Sequence, residues 1–266
     1  GILYKDAEAL QKAKDVNCVM LDKTATLTHG EPKVTDFECF ESDKAFVLQI
    51  AVGIESRSNH PIAECVKAFA LAQIDGKNDV EVEAYEYQTG KGATAVYQGK
   101  SYRLGNRRLL GKIVEKETYA FEKKYSKQGK TVVFLANEEK LLAVFALADT
   151  LKEQSAEAIA QLKGRKIRVG MITGDNENVA KAIAAQVGID DYFAEALPKD
   201  KAEAVERVRS VGGFVAMVGD GINDSPALKA ADIGVAMGNG TDVAIDSADV
   251  VLSRGDLRLV STMIDL

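Results

Sequence analysis

The sequence predicts an α/β fold, in which a parallel sheet covered by helices on both faces is interrupted by an inserted α+β domain. From Thr150 onward, short apolar runs alternate with helical stretches rich in Ala, Lys and Glu, which is the pattern of strands joined by helical crossovers. The apolar run from Val16 to Leu21 predicts another buried strand of the same sheet. Between Phe37 and Leu147 the alternation is lost, so this part is predicted to be the insertion.

The individual elements follow from apolar periodicity and from turn residues. In the insertion we predict helix over 45–72 with an interruption at 56–61, strands and turns over 85–104, a helix over 115–127 and two strands over 131–148. Beyond it, helices over 154–162, 178–187, 199–209 and 226–230 alternate with strands over 167–172, 192–194, 214–218 and 233–236. Gly188 closes the second of these helices, as glycine commonly does. We therefore place one discontinuous domain at 1–36 and 148–266 and the inserted domain at 37–147.

Composition excludes several classes of protein. The chain has 266 residues and a net charge of −6, which argues against a nucleic-acid partner because no basic run could neutralise phosphates. Two His and three Cys make neither a zinc cage nor a disulfide framework. The longest apolar run, from Leu141 to Ala148, is far shorter than the roughly 20 residues of a membrane span. We expect a soluble, cytosolic part of a longer protein.

Polar groups directly follow three of the predicted strands. Asp22 follows the first, Thr173-Gly174-Asp175 the second and Gly219-Asp220 the third. Parallel sheets carry their chemistry at the carboxyl ends of the strands, so these groups should share one edge. A lone Asp after a strand is more often a helix cap, and a lone Gly-Asp-Gly is usually a turn. The combination at three strand ends favours a reactive site.

A carboxylate such as Asp22 can attack a phosphoryl group and form an acyl phosphate. The approach of two anions requires a magnesium ion and positive donors. Asp220 can share the magnesium, because hard cations prefer carboxylate oxygens, and Lys201 can supply a positive charge. Further candidates for the same edge are Asp224, Thr173 and Asn223.

The motifs Asp22-Lys-Thr-Ala-Thr-Leu-Thr, Thr173-Gly-Asp and Gly219-Asp-Gly-Ile-Asn-Asp-Ser-Pro-Ala-Leu resemble the signature set of P-type ATPases, whose phosphorylation domain has a haloacid-dehalogenase-like fold. The resemblance implies that ATP phosphorylates Asp22 and that the domain at 1–36 and 148–266 is the phosphorylation domain. It implies a catalytic set of Asp22, Lys201, Thr173, Asn223 and Asp224, and a magnesium set of Asp22, the Thr24 carbonyl and Asp220. It also places Asp175 near the nucleotide and Asp149 at the return from the insertion.

Thr24 and Ala25, which follow shortly after the nucleophile, distinguish this chain from related proteins. Soluble phosphatases of this fold carry a second Asp at the position of Thr24, whose hydroxyl cannot act as general acid or base near neutrality. We therefore expect a long-lived aspartyl phosphate, as a pump requires. Ala25 stands where the family has Gly, and its Cβ resists the positive φ that Gly allows. If the backbone there has positive φ, phosphorylation should be slowed or lost.

The insertion contains a second cluster, Glu55-Ser-Arg-Ser-Asn-His60-Pro61. A His before Pro is more often a loop-packing residue, and glycines such as Gly90 and Gly92 usually mark a turn or bulge. The cluster nevertheless resembles the Ser-Glu-His-Pro motif of heavy-metal-transporting P-type ATPases, with Asn59 in place of Glu. The resemblance implies that 37–147 is the nucleotide-binding domain. It implies an ATP site of Glu55, His60, Gly90, Gly92, Gly105 and Asn106, together with Asp175.

The resemblance also implies cofactors and partners. ATP and Mg²⁺ are the expected cofactors, and the expected partners are the membrane and actuator domains of the same pump, with the transported ion bound outside this chain. The tail from Gly240 to Leu252 is similar to copper-exporting members, which favours Cu(I), with zinc or cadmium as the alternative. A soluble phosphatase and a catalytically inactive nucleotide-binding module are two further alternatives.

Overall fold

The protein is described by a computed structural model that covers residues 1–75, 80–220, 224–238 and 246–265. It divides into two compact units, the first formed by Gly1–Glu31 and Asp149–Leu266 and the second by Pro32–Ala148. Within the described parts of the chain, no helix combines the length and the apolar character needed to cross a membrane.

The first unit is built on a seven-stranded sheet. Strand β2 lies near its centre, with β11 on one side and β9 on the other, both parallel to it. The outermost strand β1 runs antiparallel to β13. The strands, in sheet order, are β1 (Ile2–Tyr4), β13 (Val250–Leu252), β12 (Ile233–Met237), β11 (Val215–Gly219), β2 (Cys18–Asp22), β9 (Arg168–Ile172) and β10 (Asp191–Phe193).

Helices cover both faces of this sheet. Along β2, Val19 and Leu21 face one apolar core while Cys18 and Met20 face the other, as the period of two requires. The described helices that pack on the first face are α1 (Ala7–Ala13), α6 (Ser155–Gly164), α7 (Glu177–Val187) and α10 (Arg258–Asp265); on the second they are α8 (Pro198–Ser210) and α9 (Ser225–Ala230). Gly188 ends α7 in the left-handed conformation, as expected.

The second unit is an antiparallel six-stranded sheet with helices on both faces. The strands, in sheet order, are β3 (Lys33–Cys39), β8 (Leu141–Ala148), β7 (Thr131–Asn137), β6 (Lys100–Gly105), β5 (Gly92–Tyr97) and β4 (Glu83–Gln88). The described helices of this unit are α2 (Lys44–Glu55), α3 (Pro61–Gln73), α4 (Arg107–Leu110) and α5 (Glu115–Ser126), with a 3₁₀ turn at Gly111–Val114. The interruption predicted at 56–61 separates α2 from α3.

The predicted boundaries at 36 and 148 need correction. These boundaries place residues 32–36 in the first domain, but strand β3 begins at Lys33 and pairs with β8, where Lys33 lies opposite Ala148. The hydrogen bonds of this ladder therefore hold residues 33–36 and Ala148 in the second unit. Among the described helices and strands, those not predicted from the sequence include β1, α1, β3, α4, β13 and α10, most of which are short or lie near the ends of the chain.

Candidate functional site

Three neighbouring strands bring the predicted reactive groups of the first unit to one edge. Asp22 is the last residue of β2, Asp220 directly follows β11, and Thr173 directly follows β9. Because β11 and β9 flank β2 in parallel pairing, their carboxyl ends meet side by side. The predicted convergence of these three strand ends is therefore present in the structure.

Lys201 links two buried carboxylates at this edge. Its Nζ donates to Asp22 Oδ1 at 2.7 Å and to Asp224 Oδ1 at 2.8 Å. Asp22 is 3% exposed, Asp224 1% and Lys201 9%, so water screens these charges poorly. The lysine comes from the first turn of α8, which begins at Pro198. Asp22 thus lies beside a fixed positive charge, as a carboxylate that accepts a phosphoryl group requires.

Three carboxylates lie together at this edge, and Lys201 is hydrogen-bonded to two of them. Oxygens of Asp22, Asp220 and Asp224 all lie within 4.8 Å of one another. Burial, with the charge of Asp224 second, raises the pKa of Asp22, and the same two causes raise the pKa of Asp220 to about 6. Burial opposes the charge of Lys201, but both of its carboxylate partners raise the lysine pKa and the net direction is upward. A divalent cation would relieve the remaining repulsion, and an all-oxygen donor set suits Mg²⁺.

Gly219 allows Asp224 to approach the end of β11. A Cβ at Gly219 would lie 2.6 Å from Asp224 Oδ2, closer than real side chains come. The same oxygen accepts a hydrogen bond from the Asp220 N–H at 3.3 Å. Since both Asp224 oxygens are engaged by protein donors, Asp22 and Asp220 are the better-placed metal ligands. Thr24, the third predicted ligand, is exposed and has extended backbone (φ −69°, ψ 129°).

Thr173 and Asp175 form a second polar group of the first unit. The Thr173 hydroxyl is buried and donates to Asp175 Oδ2 at 2.8 Å. The same carboxylate is paired with Lys23 Nζ at 2.6 Å. Sequence reasoning missed Lys23, although its place beside the nucleophile was a usable signal. The predicted Asn223 lies outside the described residues.

Ala25 has a positive φ, the backbone conformation that its Cβ disfavours. Its φ is 58° and its ψ is 0° within the turn at Lys23–Leu27, which is the left-handed region. A non-glycine residue there costs about 1 kcal/mol or more. The Ala25 N–H donates to the Thr28 hydroxyl at 3.1 Å, and this hydroxyl also hydrogen-bonds the carboxylate of Asp149. Asp149, at the return from the insertion, thus supports the turn after Asp22.

The second unit contains a cavity of about 220 Å³, here called the second-unit cavity. All six insertion residues predicted to bind the nucleotide line it, namely Glu55, His60, Gly90, Gly92, Gly105 and Asn106. Other lining residues were not predicted, among them Tyr85, Tyr87, Lys91 and Thr131. Asp175 belongs to the first unit, and its role in nucleotide binding stays a prediction.

Two of the glycines are required by close backbone packing. Gly92 on β5 lies opposite Gly105 on β6. A Cβ at Gly92, where φ is +133°, would lie 2.3 Å from Leu104 O, and one at Gly105 would lie 2.2 Å from Lys91 O. Gly90 has φ +71° with nothing within 4 Å of an added Cβ, so a turn explains it. The glycine pair keeps this wall of the second-unit cavity free of side chains.

Two polar residues of the second-unit cavity also shape the backbone. His60 is exposed, and its Nδ1 accepts from the Ile62 N–H at 3.2 Å at the start of α3. This bond fixes the ring and leaves Nε2 for a ligand. Asn106 donates from Nδ2 to Gly90 O at 2.7 Å and accepts from the Arg108 N–H at 3.1 Å. Asn106 therefore holds the glycine turn in place.

Glu55 is a buried acid in the same cavity. It is 7% exposed at the end of α2, and burial raises its pKa to about 7, opposed by the positive charge of Lys67. The folded state therefore holds the Glu55 proton more tightly than the unfolded chain does. The protonated Glu55 therefore makes its full contribution to the free energy of unfolding below about pH 4, and this contribution is lost as pH rises through 7.

We predict that Glu55→Gln raises the free energy of unfolding at pH 8 by on the order of 2 kcal/mol and leaves it unchanged at pH 4. Glutamine keeps the shape of the side chain but carries no charge to bury. Urea denaturation across this pH range measures the difference. The exposed Glu86 on β4 provides the control, since Glu86→Gln should shift nothing. A difference between Glu55→Gln and wild type that does not vary with pH would contradict the prediction.

Comparison with known proteins is consistent with this geometry. A family model described as a haloacid dehalogenase-like hydrolase matches residues 16–232. The chain belongs to this hydrolase family. Copper-exporting P-type ATPase B of Archaeoglobus fulgidus is 43% identical to this haloacid dehalogenase-like chain over 266 residues, which make up all of the chain and 38% of the relative. The chain therefore spans less than half the length of that curated relative.

Several solved structures match the whole of this haloacid dehalogenase-like chain, including the following two. A zinc-transporting PIB-type ATPase in the E2.Pi state is 34% identical with a TM-score of 0.74, and 43% of that protein is covered. The catalytic domain of the CPx-ATPase CopB-B is 26% identical with a TM-score of 0.77, and 96% of it is covered. The predicted fold class and the predicted relationship to heavy-metal P-type ATPases are thereby confirmed.

Proposed function

We propose that this chain hydrolyses ATP as the catalytic part of a heavy-metal-transporting pump and forms an aspartyl phosphate at Asp22. The observation that carries the proposal is the buried Asp22 carboxylate, held 2.7 Å from Lys201 Nζ and within 4.8 Å of two further carboxylates. A carboxylate that served only to cap a helix would not need this arrangement. The glycine-lined cavity of the second unit supplies a candidate site for ATP.

In the proposed reaction, an Asp22 oxygen attacks the γ-phosphorus of ATP. The new bond joins this oxygen to phosphorus, the bond between the γ-phosphorus and the bridging oxygen breaks, and ADP leaves. Lys201 stabilises the charge on the transferred group, and Asp224 holds the lysine in place. Asp22, Asp220 and the Thr24 carbonyl would hold Mg²⁺, which neutralises negative charge at the site when bound.

Water then attacks the phosphorus of the aspartyl phosphate. The bond between phosphorus and the Asp22 oxygen breaks, which releases inorganic phosphate and regenerates the Asp22 carboxylate. Thr24 offers no titratable group to activate that water, so the intermediate persists. A soluble phosphatase is the competing function, and rapid phosphate release from small phosphomonoesters would favour it. The second-unit cavity, lined by the full set of predicted nucleotide residues in that unit, favours the pump.

In this proposal, the chain acts on the cytoplasmic side of a membrane together with the membrane and actuator domains of the same pump. The membrane domain binds the transported ion. Copper is favoured because the copper-exporting relative is 43% identical, against 34% for the zinc-transporting structure. Stimulation of the ATPase activity of the whole pump by Cu(I) rather than Zn²⁺ is the expected result. Stimulation by Zn²⁺ alone would replace copper with zinc in the proposal.

The site of phosphorylation can be tested directly. The chain is incubated with Mg²⁺ and ATP labelled in the γ-phosphate, quenched in acid and digested. We expect the label in the peptide that contains Asp22, and we expect hydroxylamine to release it, as it does from an acyl phosphate. ATP labelled in the α-phosphate should leave no label. A hydroxylamine-resistant label, or one in another peptide, would contradict the proposal.

A further inference from the structure

Lys152 lies just beyond the return from the second unit and contacts the turn after Asp22. Its Nζ donates to Ala25 O at 3.0 Å and to Gly255 O at 3.2 Å. The segment carrying it is held against the same turn, since the Lys152 N–H donates to Leu27 O at 2.9 Å. The lysine therefore joins the turn after the nucleophile to the backbone near the end of the chain.

The environment of Lys152 is consistent with a fixed position. The side chain is half-buried, and burial lowers its pKa against the opposing charges of Asp220, Asp149 and Asp256. A half-buried ammonium needs acceptors for those of its donors that do not face water. Here two backbone carbonyls accept from it, and neither belongs to Asp22, Asp220 or Asp224.

Both backbone groups of Ala25 are held, the carbonyl by Lys152 directly and the N–H by Thr28, which Asp149 supports. The Ala25 carbonyl accepts from Lys152, and the Ala25 N–H donates to the Thr28 hydroxyl, which is bonded in turn to Asp149. Left-handed backbone at an alanine persists where surrounding contacts over-determine it. Lys152 and Asp149, which anchor these contacts, belong to one short segment, residues 149–152.

We propose that Lys152 is a positioning residue that holds Ala25 in its left-handed conformation and so keeps the turn after Asp22 in the geometry that phosphorylation requires. The inference rests on the proposed function of Asp22. Without the lysine, Ala25 relaxes toward negative φ and displaces Thr24, two residues after the nucleophile. A glycine at position 25 adopts positive φ without the lysine, because it has no Cβ.

A double-mutant cycle tests this dependence, because it isolates the coupling of two residues. The rate of Asp22 phosphorylation is measured in wild type, Lys152→Met, Ala25→Gly and the double variant. Lys152→Met should slow phosphorylation at least about fivefold more in the wild-type background than in the Ala25→Gly background. The KM for ATP should stay unchanged, since the second-unit cavity is intact. Equal losses in both backgrounds would show a merely structural role and overturn the proposal.

Lys163→Met is the matched control. Lys163 also donates to a backbone carbonyl, Gly188 O at 3.0 Å, and pairs with Asp190, but it contacts nothing in the turn after Asp22. The Lys163→Met variant should slow phosphorylation to the same small extent whether residue 25 is alanine or glycine. If Lys163→Met were coupled to residue 25 as strongly as Lys152→Met is, the proposal would be overturned.

A second measurement separates this inference from the proposed function. The hydrogen exchange rate of the Ala25 amide should rise about fivefold in Lys152→Met as the turn loosens. If no variant is phosphorylated at Asp22, the proposed function fails, and the exchange result still decides the role of Lys152. An Ala25 amide that exchanges at the wild-type rate in Lys152→Met overturns the inference, whatever the phosphorylation data show.

Discussion

Asp22→Asn is expected to abolish phosphate incorporation from ATP and, at the same time, to raise the free energy of unfolding at pH 8. The amide cannot act as the nucleophile, so no acyl phosphate forms. Stability rises because Asp22 is 3% exposed and shares its site with Asp220 and Asp224. Removing the buried charge of Asp22 from this group of three carboxylates lowers both the desolvation cost and the repulsion. Loss of activity with gain of stability is typical of residues that a protein retains for function.

The size of the gain follows from the pKa of Asp22, which burial and Asp224 raise to about 7. A raised carboxyl pKa means that stability falls as pH increases from about 4 to about 7, so the advantage of Asn develops over that window. We expect on the order of 2 kcal/mol at pH 8, less than the pKa alone implies, since Lys201 then donates to a neutral oxygen.

Urea denaturation in EDTA at pH 4 and pH 8 measures this difference without a bound divalent cation. The exposed Asp190, whose side chain is 84% accessible, supplies the control. Asp190→Asn should change neither phosphorylation nor the dependence of the free energy of unfolding on pH. An Asp22→Asn variant less stable than wild type at pH 8 would show that the bond to Lys201 outweighs the burial of the charge.

The sequence was sufficient to predict which polar groups meet at the strand ends. Asp22, Thr173 and Asp220 each directly follow an apolar run, and parallel sheets bring such positions together. The same applied to the second-unit cavity, because all six insertion residues predicted to bind the nucleotide line it. Local pattern was informative in both cases because the relevant signal lies within a few residues of each element.

Other features depend on contacts that local pattern does not encode. Strand β1 consists of Ile2–Tyr4 and pairs with β13 from the far end of the chain, so no short-range signal identified it. The boundary near residue 36 was wrong because the hydrogen bonds of β3, which decide its unit, are made with β8. Lys152 follows Asp149 closely in the sequence, but its contact with Ala25 depends on tertiary packing. The conditional prediction for Ala25 likewise needed an observed φ.

Gly92→Ala is expected to weaken ATP binding roughly 100-fold, or by about 2.7 kcal/mol, and to destabilise the chain by about 2–4 kcal/mol. The new Cβ would lie 2.3 Å from Leu104 O and 2.5 Å from Gly105 Cα. Both atoms are backbone, so strands β5 and β6 must separate to admit it. That separation displaces Gly105 and the adjoining Asn106 from the second-unit cavity. Calorimetric titration with ATP and thermal unfolding measure the two effects.

Gly99→Ala separates the steric clash from conformational strain. Gly99 has φ +74°, but an added Cβ would meet nothing within 4 Å, and the residue does not line the second-unit cavity. It should cost about 1 kcal/mol of stability through positive φ alone and leave ATP affinity unchanged. If Gly92→Ala reduced stability without weakening ATP binding, the nucleotide would lie elsewhere in the chain. Loss of ATP binding in both variants would instead show that affinity follows the stability of the second unit, and the close packing of Gly92 against β6 would lose its assigned role.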